Sequence, residues 1–469
     1  MVTDFFILLK QELVVVAIIF LLLFLKLGKE RNNTSILNWI NLLLFLNLLI
    51  GFFWNKEGML FNGMFVTNQL QFLEKNILNL AFLLISMQSC SWLKTHQHVI
   101  EFYLLLLSAL LGMFFMISSG NLLMFYLGLE LSTIPLAATV NFDLSKKRSS
   151  EAAMKMIISS AFSSCLLLLG ISFVYGISGT LSFAELPVHL STDPLTLLAF
   201  VLLISGFAFK ISAVPFHLWT ADVYEGAPVA VTAYLSVVSK AAVLFVFVSV
   251  LYTVFKPLAA AWYQVLFVLA VLTIFIGNLF ALRQNNLKRF LAFSSVSQVG
   301  FILIGISGSS QAGMASVVYF MVVYLFSNLA AFGVVSLVSA VTGKEDLNDY
   351  KSFYNTNPFL SWVLTIALFS LAGVPPAAGF FGKFFLLMAG AEKGNYWLIG
   401  FAALNMVISF YYYLRIVKAI FMDANETPVA KITIPMLPKL AFYLCLAGIL
   451  LTGLISSVYD YIFSFSSGL

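Results

Sequence analysis

Apolar runs of about twenty residues follow one another along the whole chain, separated by short polar connections. A helix needs ~20 apolar residues to cross the hydrocarbon core of a bilayer. Fourteen such runs can be counted, near residues 5–27, 36–54, 75–93, 99–118, 121–141, 150–176, 195–219, 226–254, 260–282, 287–307, 312–342, 358–389, 395–421 and 436–463. The pattern predicts an all-α, polytopic membrane protein with about 14 transmembrane helices. The first run, Leu13 to Leu27, leads into Lys29-Glu30-Arg31 rather than a small-residue cleavage site, so it reads as a spanning helix and not a signal peptide.

Proline interrupts two of the runs. One reads Lys210-Ile-Ser-Ala-Val-Pro215-Phe-His217, the other Gly373-Val-Pro375-Pro376-Ala-Ala-Gly379-Phe-Phe-Gly-Lys383. A proline removes a donor and frees carbonyls, which a membrane tolerates only beside protein or a wet cavity. A matched pair of broken spans is the sequence pointer to an inverted-repeat transporter. Five runs surround each break, at 99–254 and 260–421, although residue-by-residue identity between them is weak. The expected division is a three-helix segment at 1–95, five-helix repeats at 96–256 and 257–422, and a C-terminal helix at 423–469.

Composition narrows the function classes. Charged residues make up 10% of the chain and hydrophobic ones 61%, against ~25% charged in globular domains. The three cysteines, Cys90, Cys165 and Cys445, stand far apart in apolar surroundings and form no metal-binding run. They read as small core residues. Four scattered histidines and the absence of a glycine-rich phosphate loop leave no sign of a metal, haem or nucleotide site. The net charge of +5 comes from loop lysines and implies no nucleic-acid partner.

The loop charges orient the chain. Sixteen of the 25 lysines and arginines fall in alternate connections: Lys26, Lys29 and Arg31; Lys94; Lys146, Lys147 and Arg148; Arg283, Lys288 and Arg289; Lys344 and Lys351; and Arg415, Lys418, Lys431 and Lys439. The other side carries Lys10, Lys56, Lys75, Lys256 and Lys393. Positive loops stay cytoplasmic, so both termini are expected outside, on the periplasmic face of a bacterial inner membrane.

Four lysines remain, Lys155, Lys210, Lys240 and Lys383, each inside an apolar run; Glu130 is the one carboxylate read as similarly deep. A charge at mid-bilayer costs several kcal/mol. Lysines near helix ends snorkel or pair statically, but Lys210 and Lys240 lie ~15 residues into their runs. Glu130 and Lys155 occupy consecutive runs and are expected to meet as antiparallel neighbours. Burial and a nearby carboxylate act oppositely on a lysine, so moving one partner switches its protonation; a static buried ion pair is the alternative. His217, seven residues from Lys210, adds a group that exchanges protons near neutral pH. These residues together read as stations of a water-bridged proton path. Ser159-Ser160 and Ser294-Ser295-Val-Ser297 suit close packing or water contacts.

Several stretches carry a family resemblance. Leu127-Gly-Leu-Glu130-Leu-Ser-Thr-Ile-Pro135 and Lys147-Arg-Ser-Ser-Glu-Ala-Ala-Met-Lys155 resemble motifs of the antiporter-like subunits of respiratory complex I. The run Pro215-Phe-His-Leu-Trp-Thr-Ala-Asp-Val-Tyr-Glu-Gly-Ala-Pro228 is similar to the N-type branch of that family, as distinct from the M and L types. Ser236-Val-Val-Ser-Lys240, Asn286-Leu-Lys-Arg-Phe-Leu-Ala-Phe-Ser-Ser and Gly373 to Lys383 continue the match, which covers about residues 100–420.

The resemblance implies fourteen helices with two inverted five-helix repeats, in a proton-translocating membrane-arm subunit of NADH:quinone oxidoreductase. It implies Glu130 and Lys155 as a coupling pair, Lys210 as the pumping lysine, Lys240 as central connector and Lys383 as exit lysine. NADH, FMN, iron–sulfur clusters and quinone are expected in partner subunits, and no cofactor in this chain. The expected neighbours are an M-type antiporter-like subunit and the small K, J and A-type subunits. An Mrp-type cation/proton antiporter subunit is the alternative. Two departures stand out: Gln298 replaces a histidine common in relatives, leaving a gap for water to fill, and Ala221 replaces a proline, which is expected to soften a turn.

Overall fold

The computed structural model describes residues 2–28 and 32–466; Lys29, Glu30 and Arg31 of the first basic connection lie outside them. The chain is helical almost throughout, as lipid demands of a backbone that must satisfy its own hydrogen bonds. Among the described residues, twelve helices are long and apolar enough to cross a membrane. Two further apolar runs from the sequence fall outside that set. Lys10–Leu27 carries three charged residues in its 18, and the run near 358–389 is divided into Pro358–Ala372 and Ala378–Ala391. The strands described form one small antiparallel hairpin, Gly58–Leu60 with Phe65–Thr67.

Local chemistry sets the helix ends. Asn121 accepts from Met124 N, Asn286 from Lys288 N and Arg289 N, and Asn68 makes a reciprocal capping box with Gln71. Gly179, Gly343 and Gly373 close their helices with positive φ.

Burial separates centre from rim. The window of Leu287–Ser307 is wholly buried, whereas a third of the Tyr396–Phe421 window is. Around that centre pack Val229–Thr253, Gln311–Thr342 and Gln69–Leu93, also mostly buried. Helices such as Lys147–Ser178 expose apolar faces, with Met154, Ile158 and Phe162 outward. Cys90 and Cys445 are buried, but Cys165 lies on that exposed face and not in the core.

The two halves repeat devices rather than sequence. Val99–Ile117 and Leu122–Val140 approach so closely that a Cβ on Gly112 would lie 2.5 Å from Ser132 N, and one on Gly128 2.7 Å from Met116 N. Ala259–Arg283 and Leu287–Ser307 do the same at Gly277, 2.6 Å from Ser297 N, and Gly300, 2.8 Å from Ile274 N. Small residues at reciprocal positions let backbones touch where no hydrophobic force acts between helices.

Candidate functional site

The two proline breaks are built alike. Pro194–Ile211 ends at Ser212 with φ +65°, and Pro358–Ala372 ends at Gly373 with φ +87°. Each break then passes through a proline after a cis peptide bond, Val214–Pro215 and Pro375–Pro376. The freed backbone groups find partners. Trp219 Nε1 donates to Phe209 O at 3.1 Å, Val214 N donates to Thr273 Oγ1 at 3.0 Å, and Gly379 N to Ser370 Oγ at 3.2 Å.

Lys210 sits in the last turn before the first break. Its Nζ donates to Thr133 Oγ1 at 2.7 Å and Ser160 Oγ at 2.9 Å. Thr133 is one turn from Glu130, whose charge acts on Lys210 by Coulomb attraction. Glu130 Oε1 is sealed from solvent with no hydrogen-bond partner among the described residues. No ion pair joins Glu130 to Lys155 among the described residues, which corrects the pairing expected from sequence. Lys155 is also not buried: its side chain is 44% exposed, and its Nζ reaches Glu151 and Asp222, each at 2.7 Å.

His217 does not join Lys210 either. The break turns it to the opposite side, 6.1 Å from the Phe280 ring and 6.5 Å from that of Phe293. It is buried, and neither ring nitrogen completes a hydrogen bond among the described residues.

Lys240 follows a third irregularity that the sequence did not announce, a π-helical turn over Leu235–Ser239. Single π-turns inside helices are frequent at functional sites. Its buried ammonium donates to Ser295 Oγ at 2.7 Å and lies 5.6 Å from the Tyr224 ring centre. The preceding serine belongs to a separate string, since Ser295 donates to Ala292 O. Ser294 Oγ meets Tyr413 OH at 2.5 Å, and Gln298 Nε2 donates to Tyr413 OH at 3.2 Å and to Leu371 O at 2.9 Å. Lys383 Nζ donates to the same Leu371 O at 2.8 Å and to Ala372 O at 3.2 Å. Gln298 thus ties Tyr413 to the carbonyl that Lys383 holds, while adding no titrating group of its own. No carboxylate among the described residues lies within ion-pair distance of Lys240 or Lys383.

Beyond Tyr224, at the end where the basic connections gather, is a cluster of paired charges. Arg289 Nη1 bonds Asp222 at 2.7 Å and Glu225 at 2.8 Å, and Lys288 bonds Glu345 at 3.1 Å and Ala227 O at 3.2 Å. An open cavity of about 360 Å³ lies among Asp143, Lys146, Arg148, Glu225, Lys288 and Glu345. Ala221 is not in a turn; it lies buried within the helix Leu218–Gly226 that carries Asp222, Tyr224 and Glu225.

Burial alone would raise the Asp222 carboxyl, but hydrogen bonds from Lys155 and Arg289 outweigh it and hold the group below the usual range. The stabilisation is complete above ~pH 3.9, the ordinary aspartate value, and is lost as pH falls through the lower folded-state value. Between about pH 5 and 8 the melting temperature should not respond to this group. Asp222→Asn should cost about 1 kcal/mol at neutral pH, as for partly exposed pairs, and blunt the loss of stability in acid. A variant that melts like the parent at pH 7, with unchanged acid sensitivity, would refute the assignment.

Sequence reasoning singled out Ser160 only as a packing or water contact and missed Thr133, Tyr224 and Tyr413. The tyrosines look like ordinary apolar-run aromatics, and only the serine pairs carried a signal. It also counted Glu130 as the one deep carboxylate and placed Lys10 and Lys75 in outer connections. In the structure Lys10, Glu12, Glu74 and Lys75 are all buried.

Residues 119–409 match the family described as NADH:quinone oxidoreductase/Mrp antiporter, transmembrane. A subunit N of NADH-quinone oxidoreductase from Phocaeicola vulgatus is 48% identical over 416 residues, 88% of each chain. A chain of respiratory complex I from Thermus thermophilus, solved with bound aureothin, superposes with a TM-score of 0.80 at 28% identity, covering 95% of this chain and 98% of that one. A chain of the Mrp complex from Dietzia has a TM-score of 0.80 at 18% identity over 98% of this chain and 95% of its own, a likeness of fold. With its broken helices, buried lysines and a family match across both halves, this chain belongs to the NADH:quinone oxidoreductase/Mrp antiporter family of membrane proteins.

Proposed function

We propose that this chain conducts protons across the membrane as a membrane-arm subunit of a complex I-type NADH:quinone oxidoreductase. The observation that carries the reading is a pair of polar clusters meeting at neighbouring serines: Lys240 with Ser295, and Ser294 with Tyr413, Gln298 and the carbonyl that Lys383 also holds. Amines without a fixed counter-charge exist with or without their proton, and hydroxyls pass protons on. The Gln298 amide does not titrate; it fixes Tyr413 and Leu371 O in place while water and hydroxyls carry the proton. Glu130 and Lys210 act in the first half, Lys240 connects, and Lys383 releases. Lys155, with Asp222 and Arg289, belongs to the uptake end, and His217 is a side station facing the second half.

In this reading the electron carriers, NADH, FMN, iron–sulfur clusters and quinone, sit in partner subunits. The neighbours are an M-type subunit and the small K, J and A-type subunits. Residues 96–256 and 257–422 are inverted repeats between an N-terminal segment, 1–95, and a C-terminal helix, 423–469. The chain lies in a bacterial plasma membrane, with basic connections inside and both termini outside. The 48% identity to a quinone-oxidoreductase subunit favours this over an Mrp-type antiporter.

Tyr413→Phe tests the string. Losing one hydroxyl link costs about 1 kcal/mol, or roughly a fivefold slowing of proton transfer. Proton translocation per electron should drop in reconstituted vesicles while quinone reduction continues. An unchanged proton-to-electron ratio and rate would remove the string from the mechanism.

A further inference from the structure

A second set of buried charges lies in the N-terminal helices, away from the lysines already described. Lys75, on Gln69–Leu93, donates to Glu12 Oε1 of Lys10–Leu27 at 2.5 Å. The two side chains are 0% and 3% exposed. Rings of Phe65 and Phe114 face the ammonium at 5.1 and 5.9 Å. Glu74, the neighbour of Lys75 on the same helix, is 2% exposed. Its Oε1 meets no donor among the described residues, and neither does Glu12 Oε2. Lys75 is the charge that acts on Glu74. Lys10, whose charge also acts on Glu12 and Lys75, gives its hydrogen bonds to Phe53 O and to Asn55 Oδ1 at 2.6 Å, not to either carboxyl. The nearby ends of Asn33–Phe52, Val99–Ile117, Lys240–Thr253, Gln311–Thr342 and Met436–Leu454 carry no charged residue.

Two buried carboxyls thus compete for the one ammonium that hydrogen-bonds a carboxyl here, Lys75. An ionised carboxylate sealed without a donor is far costlier than the neutral acid. We propose that Glu12 and Glu74 share one proton and one ammonium, Lys75, and form a proton-binding site in the N-terminal helices. In the observed arrangement Glu12 is the anion paired with Lys75 and Glu74 carries the proton. In the alternate arrangement Lys75 swings to Glu74, and one proton passes from Glu74 to Glu12. Charge and proton count are equal in both, so the exchange needs no external reactant.

Infrared spectroscopy of the chain in its membrane assembly reads the carbonyl stretch of neutral carboxylic acids. Glu74→Gln should remove one such band. Glu12→Gln should remove it as well, because Lys75 then turns to Glu74 and ionises it. Lys75→Met should add a second band when combined with Lys10→Met, since neither carboxyl then keeps an ammonium beside it. A spectrum unchanged by Glu74→Gln would overturn the site, and a band surviving Glu12→Gln would overturn the sharing. If Glu12→Gln fails to assemble, Lys75→Met combined with Lys10→Met decides: two bands support the proposal and one band overturns it.

Discussion

Lys210→Met should abolish proton translocation, leaving less than about a hundredth of the parental rate, while the complex still assembles. Methionine keeps most of the length and packing of lysine, so the core at the first break is preserved. What goes is the ammonium between Thr133, Ser160 and Glu130. A positioned group that takes up and gives back a proton contributes roughly 10²–10⁴-fold, so its loss leaves at most about a hundredth of the rate. Lys210→Arg separates the two explanations of that loss. Arginine stays charged at all relevant pH, so it keeps a positive charge acting on Glu130 yet holds its proton. A proton-carrying Lys210 predicts that arginine restores stability but not translocation, measured as gradient formation in vesicles during quinone reduction. If arginine restores both, Lys210 is a static strut.

Gly379→Ala should be the most damaging single methyl in the chain. A Cβ there would lie 1.7 Å from the Ser370 carbonyl oxygen and 2.6 Å from its carbon. Both atoms are backbone, so no side-chain rotation relieves the clash, and the cost should reach or exceed the ~3 kcal/mol upper end of ordinary overpacking. Ser370 directly precedes Leu371 and Ala372, whose carbonyls hold Lys383. The variant should therefore lose both assembled yield and coupling. Gly400→Ala, where nothing lies within 4 Å, is the control. It should gain roughly 0.5–1 kcal/mol as a helix-interior alanine. Equal melting temperatures for the two variants would refute the close approach.

The breaks were legible because proline is unambiguous: it cannot continue a helix, and Lys383 stands a fixed number of residues beyond it. The pairing of Glu130 was not legible, for a reason of depth. Lys147–Ser178 is 32 residues long, so Lys155 lies only about 12 Å above its start at 1.5 Å per residue. Ser160, some 7 Å further along, reaches the level of Thr133 and bonds Lys210 in its place. Run boundaries blurred by several residues erase that difference. The N-terminal charges were hidden differently. A lysine at the edge of an apolar run reads as a loop charge until its partner is known, and Glu12 is 63 positions from Lys75. Likewise Gln298 looked like a missing relay because its type cannot titrate, whereas its two hydrogen bonds depend on which helices face it.

The place of Lys383 at a severed helix end has one more consequence. The last carbonyls of a helix carry its negative pole, and two of them here, Leu371 O and Ala372 O, are satisfied by the same ammonium. Removing its proton removes a charge and also weakens the fastening of that end. A transmembrane voltage acts on a full charge with ~2.3 kcal/mol per 100 mV, comparable to one or two hydrogen bonds to a charged group. Voltage and backbone shape are thereby tied at one atom, so a membrane already charged pushes back on the joint as well as on the ion.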